Sequence, residues 1–353
     1  MCVIDILCYI VIVGGVKRCG AGMSDRTRDL PPYWRLFSFK RCKLDKPFKT
    51  IDQQMEILRS RNMDVAPTDA GVLKREGYYS VVNGYKAPFL DFVGNGTDIQ
   101  DAYRDGTSLD DVYRLFKFDR DLRLTMMRYF AEAEAALKTV CAYRFSEAHQ
   151  GEKEPYLVPA NYRSENSYQP RILELIDSFK SILHKPPHDK KRGFKREYIH
   201  HYVRNHDETP FWVLTNFLML GQVFKFYEYQ NESMRNRIAK GFSELYLESH
   251  GVEIKISQKR LRIAFDHIKD FRNICAHDER LYCARVSPGH DVTFASMLSD
   301  LELVLSKDEH ARMQGEIIHL LHEMMNDLGG ETAMIVLDGM GITDLNRTFF
   351  SFA

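Results

Sequence analysis

The stretch from Ser257 to Tyr282 reads SQKRLRIAFDHIKDFRNICAHDERLY and organises the C-terminal half of the chain. Its apolar residues recur three or four positions apart, as they do on the buried face of an α-helix. They are Leu261, Ala264, Phe265, Ile268, Phe271 and Cys275. Ser257 is a favourable N-cap for the first turn. The pattern therefore predicts an amphipathic helix that begins after Ser257 and continues to Leu281.

Three residues near the end of this helix carry side chains suited to RNA cleavage: Arg272, Asn273 and His277. A histidine can exchange protons with a ribose hydroxyl near neutral pH, and an arginine can stabilise negative charge on phosphate oxygens. Asn273 and His277 project together away from the apolar stripe, whereas Arg272 lies about 140° around the helix from His277. One straight helix therefore does not aim all three side chains at a single atom.

The spacing of an arginine five residues before a histidine is only weakly diagnostic. It occurs at four other places, namely Arg144/His149, Arg196/His201, Arg262/His267 and Arg285/His290. The alternative to catalysis is a structural arginine with a half-exposed histidine. Two features distinguish Arg272/His277, which are the polar Asn273 after the arginine and the uninterrupted helical pattern around it.

Several blocks of the sequence resemble the Abi-like (abortive infection) family of the HEPN superfamily. FRNICAHDERLY, from Phe271 to Tyr282, is similar to that family's "RNxxAHxxRL" block. Three earlier blocks resemble blocks of the same family and follow the same order along the chain. The first is KPFKTIDQQ at 46–54, the second is LKREGYYSVVNGYKAPFL at 73–90, and the third is TPFW at 209–212 followed by LGQV at 220–223. Asp278 departs from the pattern, because many members have a second histidine there. Thr50 and Gln53 independently form a capping box that predicts a helix start.

The resemblance implies a metal-independent endoribonuclease without a cofactor, in which two Arg-x4-His helices form a composite site. Arg272, Asn273 and His277 would be its catalytic residues, and the products would carry 2′,3′-cyclic phosphate and 5′-hydroxyl ends. The second helix is expected from a homodimer; a degenerate half-site at Arg144 and His149 is less favoured, because Phe145 is not polar and a helix-terminal histidine has a structural explanation. A small structured RNA or an antitoxin protein is expected to restrain the enzyme. The alternative is a non-catalytic module that uses the same helix for RNA binding or dimerisation.

Other residues are candidates for RNA contact. The aromatic set, which could stack on bases, is Tyr78, Tyr79 and Tyr85, and the neighbouring cations are Lys74, Arg75 and Lys86. The alternative for these residues is a packed core. Two basic strips could bind phosphates. The first contains Lys43, Lys46 and Lys49, and the second contains Lys190, Lys191, Arg192, Lys195 and Arg196. Such strips are also typical of an ordinary solvated surface.

Composition limits the other classes of protein. The formal net charge is +0, which argues against a uniformly basic nucleic-acid binder. The seven cysteines are odd in number and lack C-x2-C spacing, so neither a disulfide framework nor a zinc site is indicated, and a reducing, cytoplasmic location is expected. Asp119, Asp121, Glu132 and Glu134 are spaced like an exposed helix face rather than like metal ligands.

The remaining pattern predicts a mainly α, multi-helix body, and the resemblance implies a HEPN-like helical bundle that carries the Arg-x4-His motif. We expect residues 1–22 to be a misassigned or disordered extension, with no membrane span, and expect an N-terminal helical region at 44–205 and a HEPN-like region at 206–345. Helices are predicted at 50–61, 108–149, 169–183, 195–204, 210–229, 232–247, 257–281 and 293–326. Short strand candidates are Val252–Ile256 and Met334–Leu337.

Overall fold

The computed structural model describes residues 47–91, 102–183, 194–287 and 292–344. Helices dominate these ranges, and strand pairing there is limited to isolated bridges such as Asp64 with Ser108 and Val286 with Val292. The prediction of a mainly α body is therefore confirmed. None of the described helices combines the length and the apolar character that a membrane crossing needs. The chain divides into two compact units, the first ending at Phe116 and the second beginning at Lys117.

The first unit begins with α1 (Ile51–Arg59), followed by α2 (Ala70–Glu76) and a π-helical turn at Tyr79–Asn83. The predicted capping box starts α1: the Gln53 amide N–H donates to the Thr50 hydroxyl at 3.3 Å, and the Thr50 N–H donates to the Gln53 side chain at 3.1 Å. The core of this unit includes Leu58, Leu73, Val81, Val82, Tyr85 and Phe89. The forty-residue helix α3 (Leu109–Ala148) begins in this unit and continues into the second.

The second unit is built from α3 and the helices that follow it. They are α4 (Gln169–Leu183), α5 (Phe194–Asn205), α6 (Phe211–Thr215), α7 (Leu220–Tyr229), α8 (Glu232–His250), α9 (Gln258–Ala276), α10 (Phe294–Glu302), α11 (Lys307–Leu328) and α12 (Gly330–Met340). Along α3 an apolar stripe is buried, and it includes Leu122, Met126, Tyr129, Ala133, Leu137 and Val140. Helix α9 packs against α7, α8 and α10, which places it inside the bundle.

Two helices predicted as continuous are interrupted. Between α6 and α7 the Asn216 amide donates back to the Trp212 carbonyl at 2.7 Å, and Met219 adopts an extended conformation. Between α10 and α11 the Ser306 hydroxyl accepts the Glu309 N–H at 3.3 Å and begins a new helix. Side chains that bond their own backbone compete with helix continuation, which explains why apolar periodicity alone missed both breaks.

Neither strand candidate forms a strand. The prediction for Met334–Leu337 is wrong because this segment lies within α12, where its apolar residues belong to a helical pattern. Val252–Ile256 connects α8 with α9 and is not part of a strand. Its Ile256 N–H donates to the Ser243 hydroxyl at 2.9 Å, so a side chain satisfies a donor that a neighbouring strand would otherwise accept.

Candidate functional site

The helix that carries Arg272, Asn273 and His277 starts as predicted but ends earlier. The Ser257 hydroxyl accepts the Arg260 N–H at 3.2 Å, and the whole predicted stripe from Leu261 to Cys275 is buried. Helix α9 ends at Ala276 rather than Leu281, and His277 is its C-cap, with its N–H donating to the Asn273 carbonyl at 3.0 Å. The histidine therefore lies at the junction between the helix and the turn that follows.

A second contact fixes α9 in the bundle and accounts for another occurrence of the Arg-x4-His spacing. The buried Asp300 carboxylate on α10 contacts His267 Nδ1 at 2.7 Å and also pairs with the Arg260 guanidinium. His267 therefore joins α9 to α10 and has a structural partner. Arg262 is not part of this contact, so its spacing from His267 has no structural meaning here.

Arg272 lies against the long helix α3. Its Nε is 3.9 Å from a carboxylate oxygen of Glu134, and its guanidinium donates to Asn273 Oδ1 at 3.5 Å. Glu134 also pairs with Lys138 at 2.7 Å. The Arg272 side chain keeps 33% of its surface exposed. The guanidinium is thus oriented by two neighbours and still accessible to a phosphate.

His277 is more exposed than the half-buried Arg272. Its side chain is exposed, and within the described ranges its imidazole makes no hydrogen bond or ion pair. Asn273 is half-buried one helical turn earlier, on the same side of α9. The imidazole is therefore available to exchange a proton with a molecule that approaches from solvent.

The turn after His277 is anchored to α3 by buried charges. Asp278 adopts a left-handed backbone conformation with φ of 57°, and its carboxylate pairs with Arg123 at 2.5 Å. Arg123 pairs in turn with Asp119, whose carboxylate accepts the N–H groups of Leu281 at 3.1 Å and Tyr282 at 2.7 Å. The position that departs from the family pattern, Asp278, thus takes part in a structural ion pair.

The interpretation of Asp119 as part of an exposed helix face is wrong. Its side chain is completely buried, whereas Asp121 is exposed. The sequence did contain the relevant signal, because Asp119 lies in register with the buried Leu115, Leu122 and Met126 on α3. An acid on an apolar stripe with an arginine four residues later indicates a buried pair.

The possible second half-site, Arg144 and His149, lies at the far end of α3. Arg144 pairs with Glu244 on α8 and with Glu147 at 3.2 Å, and it packs over Gly241. The His149 imidazole is 3.0 Å from Glu152. Arg144 is ten residues beyond Glu134, or about 15 Å along the helix from the residue that contacts Arg272. These contacts favour the structural interpretation, and the half-site stays a prediction.

The candidate RNA-binding residues differ in accessibility. Lys49, Lys74, Arg75 and Tyr79 are exposed, and Tyr78 is half-buried. Tyr85 and Lys86 are buried, which favours the alternative of a packed core for these two. Lys43, Lys46, Lys190, Lys191 and Arg192 lie outside the described residues, as do the side chains of Lys195 and Arg196 in α5. RNA contact by this set stays a prediction.

The described cysteines, Cys141, Cys275 and Cys283, are unpaired thiols. Burial raises the pKa of Cys141, and burial together with the negative charge of Asp119 raises the pKa of Cys275. Both thiols are therefore held in the neutral form, which suits the role of a small core residue. Among the described residues there is no group of three or more histidines, cysteines and carboxylates that could hold a metal ion.

Comparison with known proteins identifies one family. Residues 71–283 match the family described as Abi-like protein, and this range contains both α3 and the complete helix α9 with Arg272, Asn273 and His277. Neither a curated protein nor a solved structure matches the chain. The matched range covers more than half of the sequence. The chain therefore belongs to the Abi-like protein family, which suggests a role in abortive infection.

Proposed function

We propose that the chain is an endoribonuclease of an abortive-infection system and that it cuts RNA without a metal ion. The observation that carries the proposal is the accessible His277 imidazole, which lies at the same end of α9 as the partly exposed and oriented Arg272 guanidinium. Family membership supports the setting, because the matched range includes this helix. The protein acts in the cytoplasm and is restrained by a small structured RNA or an antitoxin protein.

The proposed reaction is an internal transfer at one RNA phosphate. The His277 imidazole accepts the proton of the ribose 2′-hydroxyl, and the 2′-oxygen forms a bond to phosphorus as the bond to the 5′-oxygen breaks. The resulting imidazolium gives a proton to the leaving 5′-oxygen. Arg272 stabilises the charge on the phosphate oxygens, and Asn273 orients the guanidinium. The products carry 2′,3′-cyclic phosphate and 5′-hydroxyl ends, with no water consumed.

A complete site takes two copies of the chain. Arg272 and His277 point about 140° apart on one helix, so a single copy does not direct both at one phosphate. A homodimer that brings two α9 ends together would combine the guanidinium of one copy with the imidazole of the other. Such closed two-fold pairing is the commonest arrangement of identical subunits.

Cleavage of labelled RNA in the presence of EDTA tests the proposal. We expect the wild-type protein to give cyclic-phosphate and 5′-hydroxyl ends, and we expect His277→Ala and Arg272→Ala to give these products far more slowly. His319→Ala is the matched control, because His319 is also exposed but lies on α11. A folded His277→Ala protein that cuts RNA at the wild-type rate would overturn the proposal.

The alternative is a non-catalytic module that binds RNA or forms dimers through α9. One observation favours it: the Glu134 carboxylate lies 3.9 Å from the Arg272 guanidinium and competes with a phosphate for that cation. In this case no RNA is cut, and His277→Ala leaves RNA affinity unchanged. Charge reversal at Lys190, Lys191 and Arg192 would instead weaken binding and reduce its salt dependence.

A further inference from the structure

The turn that follows His277 is held by a charged cluster that the proposed chemistry does not use. We name it the α3 clamp, and it consists of Asp119, Arg123 and Asp278. Asp119 and Arg123 are one helical turn apart on α3, and both are buried, with side-chain exposures of 0% and 4%. Asp278 has an exposed side chain, 71% accessible, and lies directly after the histidine.

Each member of the clamp contacts another part of the turn. The Asp119 carboxylate accepts N–H groups from two consecutive residues, Leu281 at 3.1 Å and Tyr282 at 2.7 Å. The guanidinium of Arg123 bridges Asp119 and Asp278, using one nitrogen for each carboxylate. Planar guanidinium groups are well suited to such bridging, since their N–H donors have a fixed fork geometry. The turn is thereby fixed at its first residue and at its last.

His277 lies between two fixed points. On one side its N–H donates to the Asn273 carbonyl at the end of α9, and on the other side Asp278 is paired with Arg123. The Glu279 N–H adds a bond to the Ile274 carbonyl at 3.0 Å. The imidazole is therefore exposed, while the backbone that carries it has little freedom to move.

The clamp also lies close to the motif helix. The Asp119, Arg123 and Arg272 charges all act on the Cys275 thiol, which is buried on α9. The same helix α3 supplies Glu134, the carboxylate nearest to Arg272. Helix α3 thus contacts the motif at two points, at the arginine through Glu134 and after the histidine through the clamp.

We propose that Asp119 and Arg123 are positioning residues that hold the His277 imidazole where it can meet the ribose hydroxyl. This inference rests on the proposed ribonuclease function. Neither residue touches the RNA, and both act through the backbone of the turn from Asp278 to Tyr282. Replacement of the Asp119 carboxylate by a neutral amide weakens acceptance of the Leu281 and Tyr282 N–H groups and removes the negative charge that pairs with Arg123. The turn and the imidazole then move away from the position at which the imidazole meets the ribose hydroxyl.

Kinetics of three variants test the proposal. We expect Asp119→Asn to lower kcat by roughly 10- to 100-fold with little change in KM, because displacement of a reacting group by about 1 Å has effects of this size. Asp278→Asn should lower kcat several-fold, and it keeps the left-handed backbone because asparagine tolerates that conformation. Asp121→Asn is the matched control, since Asp121 is an exposed acid on the same helix.

A spectroscopic readout separates this proposal from the proposed function. In protein labelled with ¹⁵N-histidine, the His277 ring signals are identified by their loss in His277→Ala. We expect these signals to shift or broaden in Asp119→Asn and Asp278→Asn and to stay unchanged in Asp121→Asn. This result supports the positioning role even if the wild-type protein cuts no RNA, in which case only the proposed function fails.

Two outcomes would overturn the positioning role. One is a His277 ring spectrum that is identical in the wild type, Asp119→Asn and Asp278→Asn. The other is an active wild-type enzyme whose kcat survives both substitutions. If Asp119→Asn fails to fold, Asp278→Asn decides the question alone, because its side chain is exposed and its substitution leaves the buried pair of Asp119 and Arg123 in place.

Discussion

Of the segments with Arg-x4-His spacing, the one at the end of α3 and the one at the end of α9 differ in their surroundings. Arg144 is enclosed by Glu244, Glu147 and Gly241, and its histidine contacts Glu152. Arg272 has one carboxylate at 3.9 Å, and its histidine, His277, is exposed. Both members of the first pair contact carboxylates of the protein, whereas in the second pair the histidine makes no such contact within the described ranges. Spacing selects candidates, and the environment separates a pair held by contacts within the protein from a pair that is accessible to solvent.

The strongest test of this comparison is the removal of each histidine. We expect His277→Ala to lower the rate of RNA cleavage by roughly 10²- to 10⁴-fold, the usual contribution of a general acid or base. His149→Ala should stay within a few-fold of the wild type, because the His149 imidazole is occupied by Glu152. Initial rates on labelled RNA measure both. Equal losses of cleavage rate in the two variants would mean that the Arg144/His149 segment is part of the site and that the two segments do not differ in function.

Mixing of two inactive variants tests whether α9 is paired with a second α9. When Arg272→Ala and His277→Ala are co-expressed, a mixed dimer has its intact arginine and its intact histidine on different copies. We expect such dimers to recover part of the wild-type cleavage rate, since the site draws on both copies. Absence of recovery in a preparation shown by mass spectrometry to contain mixed dimers would contradict a site shared between copies.

The two arginines should also differ in their contribution to stability. We expect Arg144→Ala to lower the free energy of unfolding by about 1 to 2 kcal/mol, because the arginine fills space above Gly241 and its loss leaves Glu244 without its partner on α3. Arg272→Ala should cost less than about 0.5 kcal/mol, since its contact with Glu134 is long and partly exposed. Urea denaturation of both variants measures the difference. A larger loss of unfolding free energy for Arg272→Ala than for Arg144→Ala would make Arg272 the structural arginine of the two.

A third histidine, His310 on α11, differs from the exposed His277 because burial changes its pKa. Burial, assisted by the nearby His250, lowers the pKa of His310 from an ordinary value of 6.5 to about 4. Between these values the unfolded chain binds a proton that the folded chain does not, so stability falls as pH falls through this window. We expect His310 to account for about 1 kcal/mol of the stability lost between pH 7 and pH 5, after allowance for solvent screening.

His310→Gln removes this titration and provides the measurement. Urea denaturation of the wild type and the variant at the two pH values gives the free energies of unfolding. The variant should lose less stability on acidification than the wild type. Identical losses would mean that His310 is protonated as readily in the folded protein as in the unfolded chain.

Local patterns predicted the helices that position the site, but long-range contacts decided its details. The apolar stripe of α9, its Ser257 cap and the capping box at Thr50 followed from residues a few positions apart. The end of α9 at Ala276 did not, because Leu281 is held by Asp119, which lies on another helix and far away in sequence. The burial of Asp119 was accessible from its place on the α3 stripe. The partners of Asp119 could not be predicted, since Leu281 and Tyr282 lie far away in sequence.

That sequence separation has a consequence for synthesis of the protein. The Asp119 carboxylate and the N–H groups that it binds are 162 and 163 residues apart, so α3 leaves the ribosome long before its partners. A truncated product that ends before Leu281 can contain Arg272 and His277 but lacks both donors. On the proposed function, interrupted translation would release chains whose nuclease site is unfinished. A cell that carries such a toxin would thus be protected from its incomplete copies by the order in which the chain is made.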